Sequence, residues 1–101
     1  GGGYAVCLVP MKLSVIGDRC EFPADSTVVR DAAWLGAFRG AVQRTCAALQ
    51  VPCFDLKPAL QDVAERGQLP YFTADTHLNA VGQRAMAEAL QPWLQQLLAS
   101  K

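Results

Sequence analysis

The sequence is short of the groups that several common functions need in number. Its 101 residues include one histidine and four cysteines, and nine basic residues are matched by nine acidic ones. A formal net charge of zero with scattered basic residues leaves no electrostatic footprint for nucleic acid. No uncharged apolar run approaches the length of a membrane span. The opening Gly1-Gly2-Gly3 has no basic region and only a brief apolar run after it, so no signal peptide is read there. Cys7, Cys20, Cys46 and Cys53 form no Cys-x-x-Cys pair, and a lone histidine cannot complete a usual zinc ligand set, so no metal site is expected. The thiols read as buried small hydrophobes. Serine is scarce as well: Ser14, Ser26 and Ser100 are the complete set.

What is present argues for a folded α/β chain. An apolar fraction of 51% with 18% charged residues is too hydrophobic for disorder. The length suits one small domain with a thin stability margin. Tyr4 to Val9 reads as a buried strand ended by Pro10. Met11 to Pro23 has no clear period and reads as a loop, with an extended piece at Leu13–Ile16. Asp25 or Ser26 can cap a helix running to about Leu49. Its apolar stripe is Val28, Ala32, Leu35, Phe38, Val42, Cys46 and Leu49. Val51 to Leu56 is a second strand. Pro58 then suits a first helical turn and Gly67 the residue past a helix end, with Leu60, Val63 and Ala64 as the apolar face. A last helix begins near Asn79 with Ala85, Met86, Ala89, Leu90, Trp93, Leu94 and Leu97 inward, and Pro92 should kink or break it. Strands alternating with helices predict parallel pairing. Two strands make a poor sheet by themselves, so the chain reads as part of a larger three-layer α/β/α domain.

The segment Asp75-Thr76-His77-Leu78-Asn79, followed by Ala80-Val81-Gly82, carries the chemistry. An aspartate two residues before the only histidine can hold the imidazole in one tautomer and stabilise its protonated form. Residues two apart do not face each other on a helix, so the pair belongs in the loop before it. Asp75 and Thr76 also suit a helix N-cap. Asn79 reads as a loop-ordering or capping residue and Gly82 as a close-packing position. Tyr71 and Phe72 could line an acyl or sugar pocket or belong to the core. Lys12 could reach the site rim, pair with a carboxylate, or stay solvated. Trp34 and Trp93 read as packing residues.

This segment resembles the last block of the SGNH, or GDSL-type, hydrolases, whose catalytic Asp and His precede an Asn and a Gly opening the C-terminal helix. Asp75, His77, Asn79 and Gly82 match those positions. The spacing Asp-x-His, in place of the common Asp-x-x-His, resembles the subgroup that includes the alginate O-acetyltransferase-like proteins. Leu8-Val9-Pro10-Met11-Lys12-Leu13-Ser14-Val15 is similar to that subgroup's strand and Pro-x-Lys stretch, and Phe54-Asp55-Leu56-Lys57-Pro58 to its Asp-Leu-x-Pro turn. The family's Gly-Asp-Ser nucleophile block is missing: Gly17-Asp18 is followed by Arg19. The oxyanion-hole Gly and Asn blocks are also not recognisable.

The resemblance implies a flavodoxin-like SGNH fold, with residues 1–101 as the C-terminal portion of one catalytic domain. It implies an ester hydrolase or O-acyltransferase working through a Ser-His-Asp triad, with Asp75 and His77 from this chain and the serine outside it. Asn79, Lys12 and Tyr71 would bind substrate or order the loop. The substrate would be an acyl ester or an acetylated carbohydrate, with no metal and no organic cofactor, in a periplasmic or extracellular setting. Most of the family places the serine block first; the alginate-type proteins are permuted and the serine follows. A terminal helix reaching the end of the sequence favours a serine upstream. The isolated chain is expected to lack esterase activity, and to self-associate or fold well only with the remainder of its domain. The competing reading is a non-catalytic α/β interaction module that retains the motif. A flavodoxin-like regulatory domain is a third, without an acidic receiver cluster.

Overall fold

A computed structural model describes residues 3–100; Gly1 and Gly2 of the glycine start, and Lys101, lie outside the described residues. The chain runs β1 (Val6–Leu8), α1 (Lys12–Ile16), a 3-10 turn (Gly17–Arg19), α2 (Val28–Ala48), β2 (Cys53–Asp55), α3 (Lys57–Glu65) and α4 (Ala80–Ala99). β1 and β2 pair in parallel, with Val6 opposite Cys53, Cys7 opposite Phe54 and Leu8 opposite Asp55. Helix α2 is the crossover that a parallel pair requires. The Val6 N–H to Pro52 carbonyl bond (2.8 Å) and the Leu56 N–H to Leu8 carbonyl bond (3.0 Å) extend the ladder beyond both strand ends. The fold is thus α/β with parallel strands, as the alternation of elements predicts.

The largest departure from the sequence reading is α1. Leu13–Ile16 is helical, not extended. Val15 and Ile16 favour strands in isolation, but tertiary burial overrides weak local preference. Val15 is 2% exposed, in a core with Leu60, Ala64 and Tyr71, and Ile16 packs beside it. Helix α2 also differs in part. Cys46 is buried and Leu35 and Val42 are half-buried, but Ala32, Phe38 and Leu49 are exposed. Trp34, read as a packing residue, is exposed and stacks on Phe38 at a centroid distance of 5.7 Å. Cys7 and Cys20 are exposed free thiols, not buried ones.

Helix ends follow the sequence closely. Gly67 takes φ 84° after α3, donating to Ala64 while Gln68 donates to Val63, the two bonds of a Schellman cap. The same pair of bonds closes α2, from Gln50 to Ala47 and from Val51 to Cys46, with Gln50 at φ 57°. Pro58 lies in the first turn of α3, where no backbone donor is missed. Ser26 Oγ accepts from the Val28 N–H at 3.1 Å at the start of α2. Pro92 does not break α4, which continues to Ala99. Pro92 and Glu88, one turn before it, are both exposed, so water can reach the carbonyl whose bond is lost. Trp93 packs inward, its ring 5.2 Å from that of Phe54. Leu94, expected inward, is exposed.

Candidate functional site

The loop between α3 and α4 is built from its two ends. Tyr71 and Leu78 form an antiparallel bridge, and the Phe72 N–H donates to the His77 carbonyl at 2.9 Å. Asn79 caps α4: its Oδ1 accepts from the Gly82 N–H at 2.9 Å. Its amide nitrogen donates backward to the carbonyls of Leu69 (2.6 Å) and Tyr71 (3.0 Å). One side chain therefore fixes both the helix start and the segment leading into the loop. Gly82 sits against that segment, because a Cβ there would collide with the Pro70 carbonyl oxygen. Asn79 thus bonds to both sides of the loop, and Gly82 stands at a close approach of helix and backbone.

Asp75 and His77 meet at the tip. Asp75 Oδ1 accepts from the His77 backbone N–H at 2.7 Å and lies 3.3 Å from His77 Nδ1. The backbone bond is the turn that an aspartate forms with the residue two positions on. It leaves the same carboxylate oxygen beside the ring. Capping of α4 falls to Asn79, so Asp75 and Thr76 are free of that role. The histidine side chain is 83% exposed and the aspartate 55%. His77 lines an open cleft with Val9, Pro10, Met11, Tyr71 and Thr76. The pair thus lies beyond the carboxyl end of β1, where ligands of parallel sheets bind. The cleft takes no residue from β2.

Lys12 and Tyr71 tie this loop to the turn after β1. The Lys12 ammonium is held by the loop: it donates to the carbonyls of Phe72 (2.8 Å), Thr73 (3.1 Å) and Asp75 (3.0 Å). Tyr71 is 1% exposed and its hydroxyl donates to the Pro10 carbonyl at 2.7 Å. Burial pushes the phenol pKa up to about 12. Tyr71 is a core residue, and Phe72 is exposed.

A second groove, opening beside α2, shares Val9, Pro10 and Met11 with the histidine cleft and adds Phe38, Arg39 and Asp55. Asp55 Oδ1 accepts from the Lys57 N–H at 3.1 Å, which is the physical content of the Asp-Leu-x-Pro turn. Asp55 Oδ2 accepts from Arg39, with Nε at 2.8 Å. Burial alone would raise the Asp55 pKa, but the Arg39 guanidinium and the Lys57 N–H outweigh it and hold the carboxyl below the usual range. The same bond holds the Arg39 pKa up. Sequence reasoning missed this pair; one conceivable signal was an arginine on the half-covered stretch of α2 between Leu35 and Val42. Of the serines, Ser26 is engaged at the start of α2, Ser100 Oγ donates to the Leu97 carbonyl at 2.9 Å, and Ser14 lines the second groove. None lines the histidine cleft. Among the described residues no group of three or more metal-ligating side chains is gathered, and no helix is long and apolar enough to cross a membrane.

No curated protein and no solved structure gives a significant match to this chain. A family model does: residues 1–100 match the SGNH hydrolase-like domain of the acetyltransferase AlgX. The match covers the loop of Asp75 and His77, the Pro10–Lys12 turn and the Asp55 turn together. The chain belongs to the family of SGNH hydrolase-like domains of acetyltransferase AlgX.

Proposed function

We propose that this chain supplies the base half of a Ser-His-Asp triad for ester hydrolysis or O-acyl transfer. The nucleophilic serine lies outside it, in the remainder of one catalytic domain. The observation that carries the reading is the 3.3 Å approach of Asp75 Oδ1 to His77 Nδ1 on an exposed, side-chain-anchored loop. With Nδ1 facing the carboxylate, Nε2 is the nitrogen left to accept the serine proton. The serine oxygen then bonds to the ester carbonyl carbon. The imidazolium returns its proton to the departing alcohol as the carbon–oxygen bond breaks, leaving an acyl-serine. Attack by water on that ester gives hydrolysis; attack by a sugar hydroxyl gives transfer, and the proton again passes through His77. These steps call for neither a metal nor an organic cofactor.

An acetylated carbohydrate is the substrate class we favour, because the family is that of an acetyltransferase and its resemblance runs to polysaccharide-modifying proteins. Family membership also favours the permuted block order, with the serine after this segment, over the upstream serine suggested by the terminal helix. The exposed Trp34–Phe38 face of α2, and the outer edges of β1 and β2 that no strand among the described residues pairs, support a remainder that packs here.

The test uses the complete reading frame with an aryl acetate and an acetylated oligosaccharide. His77→Ala and Asp75→Ala are expected to lower turnover by about a thousandfold or more with the fold retained. The isolated chain should give no turnover above background. Full activity of the His77→Ala protein, or the absence of a serine block anywhere in the frame, would establish the non-catalytic module instead.

A further inference from the structure

Pro10 and Lys12 stand two residues apart where β1 turns into α1, and each reaches across sixty or more residues of sequence to the loop of Asp75 and His77. Pro10 offers its carbonyl to the Tyr71 hydroxyl at 2.7 Å. Lys12 meets three carbonyl oxygens, of Phe72, Thr73 and Asp75, at 2.8, 3.1 and 3.0 Å. An ammonium has three donors, so none remains for a substrate. Among the described residues, no backbone–backbone hydrogen bond holds Thr73, Ala74, Asp75 or Thr76. The backbone carbonyls of Phe72, Thr73 and Asp75 in this loop are therefore held from outside it by one distant side chain.

Three carbonyl dipoles aimed at one point repel one another unless a cation stands between them. Lysine suits this place because its charge is compact and its donors are splayed. The planar fork of arginine fits parallel acceptors and not a convergent trio. The carbonyl of Asp75 is one of the three, so the ammonium fixes the backbone of the very residue whose carboxylate faces His77.

We propose that Lys12 is the positioning residue of the Asp75–His77 base, acting as a built-in ammonium in a three-carbonyl cradle, with the Pro10–Tyr71 bond setting its distance. The inference rests on the catalytic reading of Asp75 and His77 for its kinetic consequence, and on the loop geometry alone for its structural one. It gives the Pro-x-Lys stretch a physical role. The proline ends the strand and leaves a free carbonyl, and the lysine two residues on clamps the loop.

The experiment replaces Lys12 with Ala in the complete protein. Amide exchange at Phe72 and His77, the two loop amides that donate hydrogen bonds, should accelerate while α3 and α4 keep their protection, and kcat should fall about ten- to a hundredfold with KM little changed. Propylammonium, which replaces the lost ammonium and stem, should slow the loop exchange again and restore part of kcat. Tetramethylammonium has the charge but no N–H and should do neither. Lys12→Arg, chosen in case the alanine variant fails to fold, should fold with the loop still exchanging fast. Unchanged loop exchange in Lys12→Ala, loss of protection spread evenly over α3 and α4, equal rescue by tetramethylammonium, or wild-type behaviour of Lys12→Arg would each overturn the inference. If the unaltered protein has no acyl-transfer activity the catalytic reading falls, but loop exchange and its rescue still decide the role of Lys12.

Discussion

Gly82 and Pro70 stand so close that a single methyl group on the glycine would strike the Pro70 carbonyl oxygen and the Leu78 side chain. The first turn of α4 is thereby pressed onto the segment entering the site loop. Gly82→Ala is expected to cost about 2 kcal/mol or more, since neither a backbone carbonyl nor a helix turn yields easily. A fall in melting temperature with faster exchange at Phe72 and Asn79 is the expected result. An alanine variant as stable as the wild type would refute the close approach.

Asn79 allows a sharper test, because its acceptor and its donors hold different parts of the chain. Asn79→Ala removes the cap to Gly82 and both bonds to Leu69 and Tyr71. A loss of about 1–2 kcal/mol is expected from a cap together with two carbonyl partners, exposed at Leu69 and part-buried at Tyr71, left unmatched. Asn79→Asp keeps the capping oxygen but sets a carboxylate against two carbonyls. By capping preference alone aspartate is as good as asparagine. Chemical denaturation should instead place Asn79→Asp well below wild type.

Much of this site was legible because its logic is local. Asp75, His77 and Asn79 lie within five residues, and their spacing alone requires a turn followed by a capped helix. Gly67 and Pro58 declare helix ends by backbone chemistry that needs no partner. What sequence reasoning could not reach depends on distant contacts. Lys12 looks like any loop lysine until Phe72, Thr73 and Asp75 are seen around it. Val15 becomes helical because Leu60 and Tyr71 bury it, against its own preference. Arg39 and Asp55 find each other only once α2 has crossed back over β2. Pro92 failed as a helix breaker because its position faces water, which local pattern does not fix.

Tyr71 predicts an alkaline limit. Its pKa is raised to about 12 by burial, so between its ordinary value near 10 and that value the unfolded chain releases the proton first. The folded state then binds more protons than the unfolded one, and stability falls as pH rises. The contribution is complete below about pH 10 and gone above about pH 12, on the order of 2 kcal/mol in all. Tyr71→Phe lacks the titration. At neutral pH it should be less stable by about 1–2 kcal/mol, because the Pro10 carbonyl loses its donor. Across pH 10–12 the two proteins should converge. A constant gap would show that the Tyr71 phenol is not buried as described.

Asp55 sets the opposite limit, at acid pH. Its side chain is 15% exposed and holds Arg39 on one oxygen and the Lys57 N–H on the other. Burial works against the charge, yet the guanidinium and the amide keep the carboxyl pKa below its ordinary value. A carboxylate depressed in the folded state adds stability above its unfolded pKa and loses it as pH falls through the folded one. Asp55→Asn keeps the shape but carries no charge. It leaves a half-buried Arg39 without its anion, so it should be clearly destabilised at pH 7. As pH falls past the ordinary carboxylate value and through the lower folded one, the wild type surrenders the same charge, and the two denaturation curves should draw together. Asp55 ends β2 and lines the groove beside Val9–Met11. The variant should therefore also loosen the wall that this groove shares with the His77 cleft. Faster exchange at Leu8 and Leu56 at pH 7, fading relative to wild type only as pH falls through the depressed Asp55 value, is the expected signature. A gap between the proteins that persists unchanged into acid would show that the Arg39–Asp55 charge pair contributes nothing to holding that edge together.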